Sequence, residues 1–320
     1  MVRFASWLLP CLLLAACDMP SEQQLVDDEP ERTILVAGAT GRQGGAVARA
    51  LLARGFSVRA LTRDPDQPAA SELLDLGAEI MQGNFDDPAS LERAMQGVYG
   101  AFSVTVSRAG GFEDEIRQGK AFASAARAAR VRHYIFTSVA NADRNIGIPN
   151  FDSKNEIEKF IRDSGLPYTI VRPVTFMENW DNSREETIAS GYRSPQSPGH
   201  VHYFISVRDI GRIVATAFDN SADWIGREVD IAGDALTGRE VAETMSRVTG
   251  KEIRYKQISW AEFAKQMPEF VVQMERWYAK AGYDVDLAAL QSEFPGLVNV
   301  EDYLRASGWA PAATDNTNLN

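Results

Sequence analysis

Cysteine is nearly absent from this 320-residue chain. Only Cys11 and Cys17 occur, both near the N-terminus, so the globular part is expected to hold neither a disulfide framework nor a cysteine metal site. Histidine is scarce as well. His133, His200 and His202 show no metal-ligand spacing with acidic partners, and no metal is expected. His133 reads as the end of a turn before a strand, and the other two as strand-edge residues. Basic charge is outnumbered: 33 Lys and Arg against 44 Asp and Glu leave a net charge of −11. With the arginines scattered among acids, direct nucleic-acid binding is not expected. No internal repeat interrupts an otherwise ordinary globular composition. The length allows one large domain or two closely packed ones.

The apolar run Trp7–Ala16 is too short for a membrane span. Arg3 precedes it, and Leu14-Ala15-Ala16-Cys17 ends it in small residues before a cysteine. Residues 1–17 therefore resemble a bacterial lipoprotein signal, with Cys17 the residue to be lipidated and the mature chain anchored to a membrane. Residues 18–31 would then be an acidic tether. The plain alternative is a misplaced start codon and a cytoplasmic protein.

What the chain does have is the stretch Ile34-Leu35-Val36-Ala37-Gly38-Ala39-Thr40-Gly41-Arg42-Gln43-Gly44-Gly45. Four apolar residues run into glycines at G-x-x-G-x-x-G spacing, and a helical pattern follows with Ala46, Val47, Ala50 and Leu51 on one face. A strand, a tight turn and a helix start in this order suit a dinucleotide, although a purely structural turn would use the same glycines. Gly38 allows the turn, Gly41 lets backbone approach a pyrophosphate, and Gly44 lets helix pack on strand. Thr40, Arg42 and Gln43 share that loop, where bare helix-start N–H groups face an anion.

Strand and helix signals alternate from Thr33 to about Thr175. They predict an α/β fold: a doubly wound parallel Rossmann sheet in order 3-2-1-4-5-6 over residues 32–175. Within it, one helix is expected over Asp152–Ser164, capped by Asp152 or Ser153, and Asp87 caps another. A smaller, mostly helical lobe is expected over 176–310, and a disordered tail over 311–320. In that lobe Ser183–Pro198 reads as loop, Val201–Val207 as strand and Asp209–Phe218 as helix. Thr237 and Glu240 form a capping box.

At the tip of the second strand stands Leu61-Thr62-Arg63-Asp64-Pro65. Arg63 and Arg42 on the same side favour a 2′-phosphate, hence NADP(H); Asp64 would serve NAD(H), the less favoured choice. Asn84 or Asp86 can bond an adenine amine, and Phe85 can flank the ring. The fourth strand, Tyr99–Val106, ends in Val104-Thr105-Val106, which places Thr105 beside the expected nicotinamide ribose and phosphates. Short-chain dehydrogenases carry a serine after the fifth strand and then Tyr-x-x-x-Lys. Here Ser138 and Lys154 fill the outer places as candidate catalytic residues, but Asn150 stands where the tyrosine would. An amide cannot give up a proton as a phenol can. Lys154 could bind the ribose or act as acid–base group, or it could be a solvated surface lysine.

With the glycine stretch, Leu61-Thr62-Arg63 and Gly83-Asn84-Phe85-Asp86-Asp87, the sequence carries Gln118-Gly119-Lys120, Phe151-Asp152-Ser153-Lys154 and Val171-Arg172-Pro173. Phe176-Met177-Glu178-Asn179 and Ser206-Val207-Arg208-Asp209-Ile210-Gly211 follow. In these motifs it resembles the NmrA-like branch of the atypical short-chain dehydrogenase/reductases, from Arg32 to Trp309. The resemblance implies NADP(H) in a cleft between the two lobes, Lys154 as the retained lysine, Asn179 as a cleft asparagine and Phe176 at the nicotinamide end. It implies either an NADPH-dependent reductase of a small carbonyl or quinone-like substrate, or a non-catalytic redox sensor acting through a protein partner. An exported domain that binds no cofactor is the blandest alternative.

Overall fold

In the first strand Ile34 and Val36 enter one apolar cluster, Leu35 and Ala37 another, and all four are fully buried. A strand clothed by helices on both faces requires this two-residue alternation of wholly apolar side chains. The computed structural model describes residues 32–107 and 111–311. The expected signal, Cys17, the tether and the tail beyond Pro311 lie outside the described residues.

The first part alternates β1 (Thr33–Ala37), α1 (Arg42–Leu52), β2 (Ser57–Thr62), α2 (Pro68–Asp75), β3 (Glu79–Gln82), α3 (Pro88–Met95), β4 (Gly100–Val104), α4 (Gly111–Ala128), β5 (His133–Thr137), α5 (Pro149–Asp163) and β6 (Tyr168–Pro173). Then come β7 (Thr175–Phe176), α6 (Arg184–Ser190), β8 (Tyr192–Ser194), β9 (Val201–Ile205), α7 (Val207–Asp219), α8 (Ser221–Trp224), β10 (Glu228–Ile231) and β11 (Asp234–Thr237). The chain continues through α9 (Gly238–Thr249), β12 (Tyr255–Gln257), α10 (Trp260–Ala264), α11 (Glu269–Lys280), α12 (Leu287–Glu293) and α13 (Val300–Ala306).

The expected order 3-2-1-4-5-6 is found, in parallel pairing throughout, and β10 adds a seventh strand beside β6. Helices α1 and α7 pack together on one face. Gly211 makes this approach possible, since a Cβ there would stand 2.5 Å from the Ala46 carbonyl oxygen. On the other face α4 packs on α3 and α5 around Phe122, Ala126 and Ile157. Past β6 a second core gathers Met177, Trp180, Phe204, Met245 and Trp309. It is covered by the three-stranded sheet β11-β9-β7 and the pair β12-β8 as well as by helices.

Four local readings need correction. Helix α5 begins at Pro149, which suits a first helical turn because its missing N–H has no partner there anyway, and no side chain caps it. Asp152 instead accepts from the Gly147 N–H, and Ser153 donates to Glu115. Ser183–Pro198 contains α6 and β8; the strand pairs with β12, some sixty residues on, so no local signal announces it. Val201–Val207 stops at Ile205, because Ser206 turns the chain into α7 and caps it. His133 is the buried first residue of β5 rather than the end of a turn. Its ring nitrogens meet Ser221 Oγ at 3.0 Å and Thr169 Oγ1 at 2.8 Å, and burial lowers its pKa to about 4. The Asp87 cap and the Thr237–Glu240 box form as read.

An ionic cluster ties β10 and α5 to β6. Arg172, nearly buried, pairs with Glu158 at 2.7 Å and Glu228 at 2.5 Å, while Arg162 bridges the same two carboxylates at 2.6 Å each. Hydrogen bonding from Arg162 holds Glu228 down at about 2. Asp230, two residues on, is only 3.8 Å from Arg172, and burial lifts it to about 6. Its folded-state value lies above the unfolded one, so its charge opposes folding above pH 6. That penalty fades as pH falls towards 4. Asp230→Asn is therefore expected to raise stability at pH 7.5 by roughly 3 kcal/mol, a gain lost by pH 4. Denaturant melts across that range check it; equal gains at both pH values would contradict the assignment.

Candidate functional site

The turn after β1 does what its glycines suggested. Gly38 has φ +64° and its carbonyl accepts the Gly41 N–H at 2.9 Å. A Cβ on Gly44 would stand 2.2 Å from the Gly38 oxygen, so helix and strand meet backbone to backbone. Helix α1 then starts with no side-chain cap and no acid in its first turn. Its first N–H groups are left for an anion, in contrast to α3, where Asp87 takes the Ala89 and Ser90 N–H groups.

A cleft of about 1000 Å³ opens over the carboxyl ends of β1 to β4. Gly38, Thr40, Gly41, Arg42, Gln43, Arg63, Asn84, Phe85, Thr105, Phe176 and Asn179 all line it, as do Asp64 and Asp86. Phe176 and Asn179 arrive from beyond β6. Arg63 stands exposed at the β2 tip, and Arg42 donates to Asn182 Oδ1 at 3.0 Å, so the glycine turn is tied to the second lobe. Asn84 spends its amide oxygen on the Asp86 N–H, leaving its NH₂ group; the Phe85 ring lies 5.0 Å from Phe122. The Asp86 carboxylate is held by Arg117 and Gln118, and hydrogen bonding from Arg117 lowers its pKa.

Gln67 is a cleft residue that the sequence did not reveal. Its side-chain amide donates to Thr40 Oγ1 at 3.1 Å, Thr62 Oγ1 at 2.9 Å and the Asp64 carbonyl at 2.9 Å. It thereby stitches the glycine turn to the β2 tip. Lying just before Pro68, it has no pattern of its own in the chain.

Lys154 and Ser138 are not among the residues lining the cleft. Lys154 Nζ lies beneath the wall, donating to the Thr105 carbonyl at 2.6 Å, Thr105 Oγ1 at 2.9 Å and Glu115 Oε1 at 2.5 Å. An ammonium has three donors, and here all are engaged. Burial pulls its pKa down, against the opposing charge of Glu115. Glu115, 1% exposed, also accepts from Ser153 and Thr105; nothing in an amphipathic helix marked it as buried. Ser138 follows β5, and its Oγ is buried without a hydrogen-bond partner. Asn150 Nδ2 reaches Met274 Sδ of α11 at 3.8 Å.

The motifs around 176 and 206 interlock. Glu178 Oε1 accepts from Ser206 Oγ at 2.8 Å and the Val207 N–H at 3.0 Å, placing a carboxylate at the α7 N-terminus, where the helix dipole favours it. Burial raises the Glu178 pKa. Asp209, fully buried, takes the Val298 N–H at 2.6 Å and Arg212 at 3.0 Å. Among the described residues no group of His, Cys, Asp and Glu could hold a metal, and no helix is long and apolar enough to cross a membrane.

Comparison with known proteins gives a consistent family. An NmrA-like family domain-containing oxidoreductase of Cladobotryum sp is 30% identical over 261 residues, 72% of this chain and 78% of its own. By structure, the Citrobacter sp. triphenylmethane reductase complexed with NADP(H) superposes with a TM-score of 0.75 at 23% identity, covering 86% of this chain and 99% of that one. NmrA, a negative transcriptional regulator in complex with NADP, gives 0.69 at 22%, covering 86% and 94%. Residues 30–304 match the NmrA-like family, and the chain belongs to it.

Proposed function

We propose that this protein binds NADP(H) in the cleft and reduces a small carbonyl or quinone-like substrate. The observation that carries the reading is the uncapped, acid-free start of α1 facing a cleft that also holds Arg42 and Arg63. Those groups suit a pyrophosphate and a 2′-phosphate in one ligand. The relatives named above include a reductase complexed with NADP(H), which agrees with it.

The reduced cofactor supplies hydride; the chain supplies binding, orientation and charge. Gly41 and the α1 N–H groups would hold the pyrophosphate, Arg42 and Arg63 the 2′-phosphate, and the free Asn84 NH₂ the adenine side. Phe176 and Asn179, which line the cleft from beyond β6, would flank the nicotinamide end. Ser138 Oγ, buried and unpartnered at the end of β5, lies outside the cleft lining, and no contact with the substrate is assigned to it. Lys154 acts one step back, holding Thr105 in the wall.

Thermal-shift titration of the full chain with NADP, NADPH, NAD and NADH tests the cofactor. NADP(H) should give the larger shifts, and Arg63→Ala should cut NADPH affinity by about 10-fold or more, through the loss of a charge-assisted contact, while leaving NADH affinity unchanged. Larger shifts with NAD(H) would overturn the choice. NADPH oxidation with a panel of quinones and aldehydes tests the reaction. Tight NADPH binding with no oxidation anywhere in the panel would favour the sensor reading, which the asparagine at position 150 motivates.

A further inference from the structure

We propose that the Tyr278–Tyr283 hydroxyl pair, carried by the second lobe over the carboxyl ends of β5 and β6, supplies the proton that Asn150 cannot. The proposal rests on the reductase reading and names the acid of that reaction. Helix α11 and the turn after it pack on the segment where the tyrosine of a short-chain dehydrogenase would stand. Asn150 Nδ2 contacts Met274 at 3.8 Å, Asn141 Nδ2 donates to the Gly282 carbonyl at 3.5 Å, and the Phe151 ring lies 5.1 Å from Trp277 and 6.5 Å from Tyr278. Val139, Ile146 and Ile148 complete that contact.

The two phenol oxygens are 2.5 Å apart, and the Thr175 side chain lies beside both hydroxyls. Thr175 immediately precedes the cleft residue Phe176 and follows the end of β6. Ser138, with its unpartnered Oγ, joins the same strand end through its N–H to the Val171 carbonyl at 2.9 Å. In open α/β sheets, substrates sit outside the carboxyl ends of the strands. Neither ring lines the nucleotide cleft, Tyr278 is buried and Tyr283 is partly exposed, so of the two Tyr283 is the one that a substrate beyond the cleft wall would reach, with Tyr278 behind it. Burial above all, and the nearby Glu275 carboxylate, hold both hydroxyls protonated well above neutral pH.

The step balances as follows. Hydride adds to the carbonyl carbon, the C=O π pair moves to oxygen, and the Tyr283 O–H breaks as its proton joins that oxygen. Tyr278 donates to the tyrosinate so formed, which water then reprotonates. The sum is carbonyl, NADPH and one proton giving alcohol and NADP⁺.

The test uses Tyr283→Phe and Tyr278→Phe in the full chain, both of which keep the ring. Tyr283→Phe should lower kcat with 1,4-naphthoquinone or benzaldehyde by about 100-fold or more. Tyr278→Phe should lower it by about 10-fold, and NADPH binding should be unchanged in both. Independently of turnover, the infrared C=O band of ¹³C-carbonyl benzaldehyde bound with NADP⁺ should lie below its position in water. It should move back up in Tyr283→Phe. Wild-type kcat in Tyr283→Phe, or a band that neither variant moves, would overturn the proposal. A band that responds to Tyr283→Phe in a protein that consumes no NADPH would support the tyrosine contact while removing the reductase reading.

Discussion

Lys154→Met should destabilise the protein by about 3 to 5 kcal/mol, because it leaves Glu115 buried with hydroxyl partners but no counter-charge. The pair is among the least exposed ion pairs of the described residues, at 9% and 1% of the two side chains. Loss of one partner cannot be made good by water. In a denaturant melt the midpoint should fall without change of slope. NADPH affinity should fall too, for an indirect reason: Lys154 grips both the carbonyl and the hydroxyl of Thr105, which faces the cleft. Lys154→Met combined with Glu115→Leu removes both charges, and replacing a buried pair with apolar groups is often neutral or stabilising. The double variant should recover most of the stability and bind NADPH within a few-fold of wild type. If it regains stability but not affinity, Lys154 contacts the cofactor itself and the arrangement described here rearranges on binding.

Gly44→Val should be nearly as damaging and should abolish nucleotide binding outright. The added Cβ would meet the Gly38 oxygen at 2.2 Å, the Gly38 carbonyl carbon at 2.5 Å and the Ala37 oxygen at 2.8 Å, all backbone atoms. Side chains can turn aside, but a strand and a helix joined by a four-residue turn cannot part without opening that turn. A cost of about 3 kcal/mol, the upper end of usual overpacking, is expected, and thermal shift with NADPH should vanish. Gly199→Ala is the control: a Cβ there meets nothing within 4 Å, so stability should stay within about 0.5 kcal/mol of wild type. Equal loss in both variants would mean that glycine's flexibility, rather than the close approach, matters at position 44.

The nucleotide end of the site was legible in the chain, because its signals are local. A four-residue apolar run, a glycine spacing and an arginine one residue past a strand each lie within a few positions of what they act on. The alternation of strand and helix signals behind the parallel sheet is equally short-range, and the Asp87 cap and the Thr237–Glu240 box come from chemistry three residues wide. Asp152 and Ser153 misled because a polar residue before a helical pattern has two uses. Here one turns back to Gly147 and the other reaches Glu115, thirty-eight positions away, so Pro149 begins the helix instead.

The region proposed to take the substrate was not legible, because it is assembled from distant pieces. Position 150 showed a missing tyrosine, yet nothing near it in sequence pointed to Tyr278 and Tyr283, which read as ordinary core aromatics of a helical lobe. Lys154 could be named but not placed. Whether it faced solvent, cofactor or Glu115 depended on α4 and α5 lying side by side under β4, a fact of packing that no window of residues contains. Likewise β10 reads as one more short strand of the second lobe until Arg172, Glu158 and Glu228 draw it against β6. By itself the sequence determined the parallel sheet, the glycine turn and the family, since backbone geometry and the period of apolar side chains are short-range properties. Only the tertiary structure decided which buried charges neutralise one another and which hydroxyls meet over the strand ends, because those depend on burial and on partners far apart in the chain.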